Sequence, residues 1–403
     1  MLSILIAHNY YRSSSPSGED VVFEAEAELL SARGHVVHKY VRRSDDIAKF
    51  SFAKQAALGK EIIWSQQSYL EVKRTLAELR PDVAHFHNTF PLISVSAFRA
   101  CRELGVPVVQ TLHNYRLLCL NGELVREGDV CESCLGKKLP WPGLFHRCYR
   151  NSFSYSAAMA AMQFANRMTR TWTEVDLFIA PSEFLRQKYV AVGFPPDRIR
   201  VKPHFTNLQA GSCDGAREYA LFVGRLSPEK GVRTLIAAWK QLPQIPLTIV
   251  GDGPQAQELR TAAEQLGNVT FVGAVSHADV VKYVQRARYL VVPSEWYENL
   301  PMVIIEAFAC GTPVIASNLG ALPEVIMHGR NGLLFKPKDP TDLVSKAAYL
   351  WAQPQDANEL GREARLDYET RFTPERNHEQ LLKAYAMVLE QPREDYALAF
   401  ADS

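Results

Sequence analysis

The sequence predicts an α/β protein of two parallel-sheet domains facing each other across a cleft, and three observations carry that expectation. At 403 residues the chain is longer than one hydrophobic core comfortably serves. Short β-branched runs alternate with helical stretches from end to end, as in parallel strands joined by helical crossovers. The alternation also breaks and restarts around a polar, Gly-containing seam, KPHFTNLQAGSCDGARE (202–218). The expected division is 1–205 for the first domain and 206–384 for the second, with a C-terminal helix at about 385–403 returning to pack on the first.

Taken in order, LSILIAH (2–8), HVVHKY (35–40), DVAHFH (82–87), PVVQTLH (107–113) and VDLFIAP (175–181) read as buried parallel strands. Between them, EDVVFEAEAELLSARG (19–34) has helical periodicity, acids in its first turn and Gly34 as a stop. SEFLRQKYVAVG (182–193) has the same form, with Ser182 as N-cap and Gly193 past the end. After the seam the strands are YALFVGRL (219–226), PLTIVGDG (246–253), NVTFVGAV (268–275), ARYLVVPS (287–294), TPVIAS (312–317) and NGLLFKP (331–337). Helices such as VRTLIAAWKQL and GPQAQELRTAAEQLG lie between them, and TPERNHEQLLKAYAMVLEQ (373–391) is an amphipathic helix after the last strand. The tail EDYALAFADS reads as loosely ordered. Each half is thus expected to be Rossmann-like.

Composition narrows the class. Apolar residues make up 47% and charged residues 22% of the chain, ordinary for a soluble globular protein. A formal net charge of +1 identifies no partner, and a nucleic-acid partner is not expected. No apolar run approaches the 18 or so residues of a membrane-spanning helix. The N-terminus MLSILIAHNYYR lacks a basic n-region and a small-residue cleavage site, so it reads as a first strand rather than a signal peptide. A cytoplasmic, reducing location follows as the expectation, and the seven cysteines do not read as a disulfide framework.

In open α/β sheets ligands bind at the carboxyl ends of the strands, and the chemistry-bearing residues fall there. Arg225 and Lys230 in GRLSPEKG (224–231) leave a strand end and precede a helix. Two cations beside a helix N-terminus make an anion site, although the same residues also fit an ordinary surface turn. SGED (17–20) follows the first strand, with Gly18 allowing close backbone approach. GDGP (251–254) has the same placement. None of these is a G-x-G-x-x-G fingerprint, which counts against a simple dinucleotide dehydrogenase.

PSEWYENLPMVIIEAFACGTPVIAS (293–317) carries Glu298 before a helix and Glu306 inside its apolar run. With Pro301 in the first turn, Glu306 lies about five residues in, roughly 7–8 Å along the axis. Free N–H groups near Asn299–Met302 lie between the two carboxylates. That layout suits a ligand presenting hydroxyl, diphosphate and hydroxyl in sequence, as a sugar nucleotide does; a structural salt bridge for Glu306 is the alternative.

GRLSPEKG, GDGP and the E-x7-E pair, in this order and spacing, resemble the C-terminal domain of a family 4 retaining glycosyltransferase of the GT-B fold. The resemblance is specific over residues 219–336 and looser over the N-terminal half. It implies that Arg225 and Lys230 bind the donor diphosphate, Glu306 the ribose hydroxyls and Glu298 the hydroxyls of the transferred sugar. It further implies that backbone near Asn299 and Leu300 joins the phosphate site, that the chain around Val272 holds the base, and that the loop at Gly18 covers the diphosphate. Many members carry paired glycines at that loop; this chain has Ser17-Gly18. His113, in QTLHNY, matches the family histidine near the donor sugar. His113, Glu298, Arg225 and Lys230 are the expected catalytic set.

The family implies retention by front-face attack, the leaving phosphate helping to deprotonate the acceptor. Chemistry without a metal is expected, because the cations supply the charge. The expected partners are a UDP- or GDP-linked sugar donor and a glycan or lipid-linked acceptor, in cell-surface polysaccharide or glycolipid assembly. A nucleotide-sugar epimerase and a non-catalytic sugar-nucleotide-binding module are the alternatives on the same fold.

Two features lie outside that set. Cys119, Cys131, Cys134 and Cys148 form C-x11-C-x2-C-x13-C within an insert at 119–148. Four thiolates suit a closed structural zinc site; inert or redox-active thiols, or a disulfide pair, are the other readings, and His146 is a possible substitute ligand. Between Glu132 and Glu174 there is no acidic residue but six basic ones, Lys137, Lys138, Arg147, Arg150, Arg167 and Arg170, interleaved with aromatics. This window is either a solvated surface or a docking face for an anionic membrane or a phosphate-bearing acceptor.

Overall fold

The computed structural model describes residues 1–11, 17–51, 58–208 and 217–390. Part of the seam at 202–218 and the tail therefore lie outside the described residues. The first sheet contains β1 (Ser3–Tyr10), β2 (Val36–Arg43), β3 (Val83–Phe86), β4 (Val108–Thr111), β7 (Leu177–Ala180) and β8 (Ile199–Val201), in the order β2-β1-β3-β4-β7-β8. The second contains β9 (Tyr219–Val223), β10 (Leu247–Val250), β11 (Val269–Gly273), β12 (Ala287–Val292), β13 (Val314–Ser317) and β14 (Gly332–Phe335), in the order β11-β10-β9-β12-β13-β14. All pairings in both sheets are parallel. A two-stranded hairpin, β5 (Val125–Arg126) and β6 (Asp129–Val130), stands apart from both.

Helices cover both faces of each sheet, so the inner strands are buried throughout. β3, β4, β7, β10 and β13 have no exposed residue, which is why they read as unbroken apolar runs. Strand order reverses beside β1 in the first sheet and beside β9 in the second. These are the switch points where helices leave to opposite faces and a crevice opens.

Helix starts follow local chemistry. Ser17 accepts from the Asp20 amide and Asp20 returns the bond, a capping box for the helix Gly18–Ala32. Ser182 caps Glu183–Val190, and Gly193 follows at φ +100°. That helix also draws on the other half of the chain. The Glu324 carboxylate accepts from the Glu183 amide at 2.8 Å, placing a negative charge at the positive end of the helix dipole. Phe184 meets Tyr297 edge-on at 4.7 Å, so this contact ties the two sheets' surroundings together.

The helix Pro354–Arg371 packs Ala364 and Tyr368 on the second sheet's layer. The chain then crosses back: the Tyr368 hydroxyl donates to the Thr206 carbonyl at 3.0 Å and the Thr206 amide to the Phe372 carbonyl. The last helix runs Pro374–Leu389, starting earlier than the 385–403 expected, and residues 391–403 lie outside the described residues. Its Leu381, Ala384, Tyr385 and Val388 pack against Ile4, Val83, Val109 and Ile179 of the first sheet.

Candidate active site

Two glycines bring the loops after β9, β10 and β12 into backbone contact. A Cβ on Gly231 (φ +69°) would lie 1.9 Å from the Pro293 carbonyl oxygen, and one on Gly251 (φ +133°) 1.9 Å from that of Gly224. Only glycine allows the loops to close this far. The closure sets GRLSPEKG, GDGP and PSEWYEN at one end of the second sheet.

In that cluster the Lys230 ammonium lies 2.7 Å from Glu298 Oε1 and over the Trp296 ring. Ser294 Oγ donates to the same carboxylate oxygen at 2.7 Å. Glu298 is 5% exposed, so the ion pair is mostly out of water. Arg225 is exposed beside it, and among the described residues no ion pair is recorded for it. Pro301 precedes the helix Met302–Ala309, and no side chain caps that end; the Ile304 amide donates to the Pro301 carbonyl, while those of Met302 and Val303 have no helical acceptor. Leu300 is buried and anchors the loop.

Glu306 sits in that helix and is 4% exposed. It has a partner that sequence reasoning missed: His277 Nε2 lies 2.7 Å from Glu306 Oε1, and this hydrogen bond raises the His277 pKa. His277 opens a helix after β11, and nothing in SHADV announces an imidazole aimed at a distant carboxylate. Val272 is half-buried in β11 among the apolar side chains of the second sheet.

The first half faces this cluster directly. The Asn299 side-chain Nδ2 donates to the His113 carbonyl at 2.6 Å, so the loop before Glu306 and the end of β4 touch across the cleft. His113 Nε2 is 3.0 Å from His87 Nδ1. Burial holds His113 well below the ordinary histidine range, with His204 adding to the effect, and the ring is neutral at pH 7. Behind it lies an entirely buried network: Lys202 pairs with Glu26, and His87 Nε2 is 3.5 Å from the other Glu26 oxygen. Burial opposes the charge on Glu26, but Lys202 and His85 outweigh it and hold its pKa low. Glu26, His85 and His87 bring ligand atoms within 4.8 Å of one another. The Lys202 ammonium already supplies the positive charge there, so the cluster reads as an internal ion pair bracing the histidines.

Gly18 begins its helix exposed, with open space where a Cβ would stand. Glycine is therefore not sterically demanded at this position, and residues 12–16 before it lie outside the described residues. The acids of the first turn are engaged: Asp20 with His8 at 2.7 Å and Glu19 with Asn114 at 2.6 Å. A cavity of about 610 Å³ between this helix and the seam is lined by Tyr10, Arg43, Asn207 and His277. It adjoins the Glu306 side of the cluster rather than Lys230.

The insert reaches across the cleft. Glu123 of the insert is exposed; desolvation and Glu229 raise its pKa, while Arg116, Arg225 and Lys230 work to lower it. At the β5–β6 turn, the Gly128 carbonyl and Asp129 meet Lys338 of the second domain. Cys119, Cys131, Cys134 and Cys148 are all free thiols. Burial and the neighbouring cysteines raise Cys134 to about 11 and raise Cys148 as well. In the present rotamers Cys119 is bonded to Asn121 and Cys134 to the Pro140 carbonyl, and among the described residues no three cysteine sulfurs close to within 4.8 Å.

The glycosyltransferase family 4 model matches residues 16–210, and the group 1 glycosyl transferase model matches 207–367. A glycogen synthase from Mycobacterium tuberculosis is 35% identical over 369 residues, covering 88% of this chain and 78% of that protein. The chain belongs to the group 1, family 4 glycosyltransferases. A D-inositol 3-phosphate glycosyltransferase from Segniliparus rotundus is 33% identical over 71% of this chain and 62% of its own length. Among solved structures, sucrose-phosphate synthase from Thermosynechococcus elongatus superposes with a TM-score of 0.70 at 22% identity, covering 95% and 98% of the two chains. Anabaena HepE in complex with UDP gives 0.69 at 20% identity over 96% and 100%. These likenesses show the GT-B fold, two Rossmann-like domains about a cleft. For this glycosyltransferase, the described cluster lies where the two domains meet.

Proposed function

We propose that this glycosyltransferase moves a sugar from a UDP- or GDP-linked donor to an acceptor hydroxyl, with retention of anomeric configuration. The observation that carries the proposal is the Lys230–Glu298 ion pair set beside the uncapped helix end, with Glu306 deeper in the same helix. A diphosphate placed against Lys230, Arg225 and the free amides near Asn299 and Leu300 would take the charge Lys230 now shares with Glu298. Glu298 would then accept from hydroxyls of the transferred sugar, and Glu306 from the ribose, in place of His277. The chain around Val272 would border the base.

As the glycosidic bond breaks, negative charge grows on the leaving diphosphate. Preoriented cations and amides stabilise that charge without reorganising, so the chemistry needs no metal. Neutral His113, braced by His87 and tied to Asn299 through its carbonyl, would orient the donor sugar. The leaving phosphate would assist deprotonation of an acceptor attacking from the same face. Glu306, occupied by ribose, is not available as the second carboxylate of a hydrolase pair. The acceptor we expect is a glycan or lipid-linked sugar in cell-surface polysaccharide assembly.

Incubation with UDP- and GDP-sugars in the presence of a chelator tests this directly. Slow donor hydrolysis, with NMR showing the anomer of the donor in the first product, supports the reading. Inversion at the sugar C2 would show an epimerase, and tight binding without turnover a sensor.

A further inference from the structure

The geometry points to a face built from the C-terminal part of the insert, from Lys137 onward, and the helix Phe153–Met168 that docks on an anionic lipid bilayer. Three observations place it. Six large apolar side chains stand exposed within one stretch of chain: Trp141 57%, Phe145 77%, Phe153 59%, Tyr155 52%, Phe164 41% and Met168 56%. Phe153, Ala161, Phe164 and Met168 recur at helical spacing and are all exposed, so they share an outer stripe. The inner side of the same helix buries Met159, Ala160 and Met162. A helix apolar on both its core and its solvent side is a poor match to water.

The charges complement an anionic surface. Residues 133–173 contain no carboxylate side chain. Lys138, Arg147, Arg150 and Arg170 are exposed, and among the described residues none has a recorded carboxylate partner. Arg150 lies over the Tyr149 and Tyr155 rings, and Lys137 over Trp141. Aromatics and cations are therefore interleaved, as suits side chains whose rings enter the headgroup boundary while their charges stay at phosphate level. Arg167 is the exception among the six basic residues of this window: it turns inward towards the Leu117 carbonyl, and burial lowers its pKa. No described helix is long and apolar enough to cross a membrane, so the contact is peripheral.

Position adds a functional consequence. The helix backs onto the segment running out of His113, through Gln163 to the Arg116 carbonyl at 2.7 Å. A bilayer on the outer stripe would hold a lipid-linked acceptor close to the cleft. That last step rests on the glycosyltransferase reading; the docking itself does not.

The test sediments the full chain with vesicles of phosphatidylcholine alone or mixed with phosphatidylglycerol. We expect pelleting with the anionic vesicles at low salt, weakening as salt rises, and little with phosphatidylcholine alone. Arg147→Glu with Arg150→Glu should cut partitioning by about tenfold or more, and Phe145→Ser with Phe164→Ser should do likewise. Leu70→Ser with Leu366→Ser, exposed apolar positions elsewhere (56% and 51%), should leave it unchanged. All these variants should keep the parental Tm and donor-hydrolysis rate without lipid. A chain that stays in the supernatant, equal pelleting by both vesicle types, or patch variants that pellet like the parent overturns the proposal. Absence of donor turnover in every form would instead count against the proposed function and leave the docking result standing.

Discussion

Lys230 and Glu298 show what a single ion pair can prepare. Each supplies the other's charge in the ligand-free cleft, and both are poised for groups that a sugar nucleotide presents side by side. Lys230→Ala should lower kcat/KM by about 10² to 10³, the usual cost of removing one preorganised charge-stabilising group. It also strands a buried carboxylate, so Lys230→Met with Glu298→Gln should be more stable than Lys230→Ala alone, as measured by Tm. Glu306→Gln should act mainly on donor KM, raising it about tenfold with kcat little changed, if its role is uniform binding of ribose. An equal fall in kcat and kcat/KM would place it in the transition state instead. The carboxylates, Arg225 and Lys230 were legible in sequence because short motifs fix their distance from strand ends. His277, Glu123 and the Glu26–Lys202 pair were not. His277 and the Glu26–Lys202 pair meet their partners only through tertiary packing, and Glu123 comes near the site's cations only through the fold; spacing along the chain carries no trace of either.

At the scale of elements, loop closure around glycine decides whether the site assembles. Gly231→Ala places a methyl group against the Pro293 carbonyl and strains a positive φ, so it should cost on the order of 3 kcal/mol in urea unfolding. Gly18→Ala, where a Cβ meets nothing, should be nearly neutral for stability. Any loss of donor affinity there would report ligand approach alone. Long buried strands such as β1 and β12 were readable from their apolar runs. β8 was not, because Ile199–Val201 is three residues long and leans on β7 for its identity. The β5–β6 hairpin was hidden inside the insert for the same reason. The zinc expectation for that insert also makes a test: chain purified without chelator should carry about one zinc, lost in Cys134→Ser together with some Tm. The sulfurs would have to rotate away from Asn121 and Pro140 to close on the metal. Metal-free protein with an unchanged Tm in Cys134→Ser would leave them as thiols with no structural metal.

Across the whole molecule, the last helix and the first sheet share a set of histidines kept neutral by burial. His85 is held at about 4 and His204 at about 3, chiefly by desolvation, and His87 and His113 are likewise pushed well below the usual range. His85 bonds the Tyr385 hydroxyl of the last helix at 2.9 Å, so the element that locks the chain back onto its first half rests on a neutral imidazole. In the unfolded chain these rings protonate near 6.5; in the folded one they do not. Below that value unfolding takes up protons, and the stability these groups contribute above pH 6.5 is lost as pH falls towards 4. Each fully depressed histidine contributes up to about 1.4 kcal/mol per pH unit in that window. His277 runs the other way, since Glu306 raises its pKa, but it is half exposed and offsets little. Tm should therefore fall steadily between pH 7 and pH 5, before ordinary carboxylates titrate. His204→Phe keeps a ring to stack on His113 (5.4 Å between centroids) and removes one titrating group, so it should flatten that slope by roughly one histidine's share. A parental Tm that is level over this range, or a slope untouched by His204→Phe, would mean that protons reach the buried rings without cost and that the helix is held by apolar packing alone.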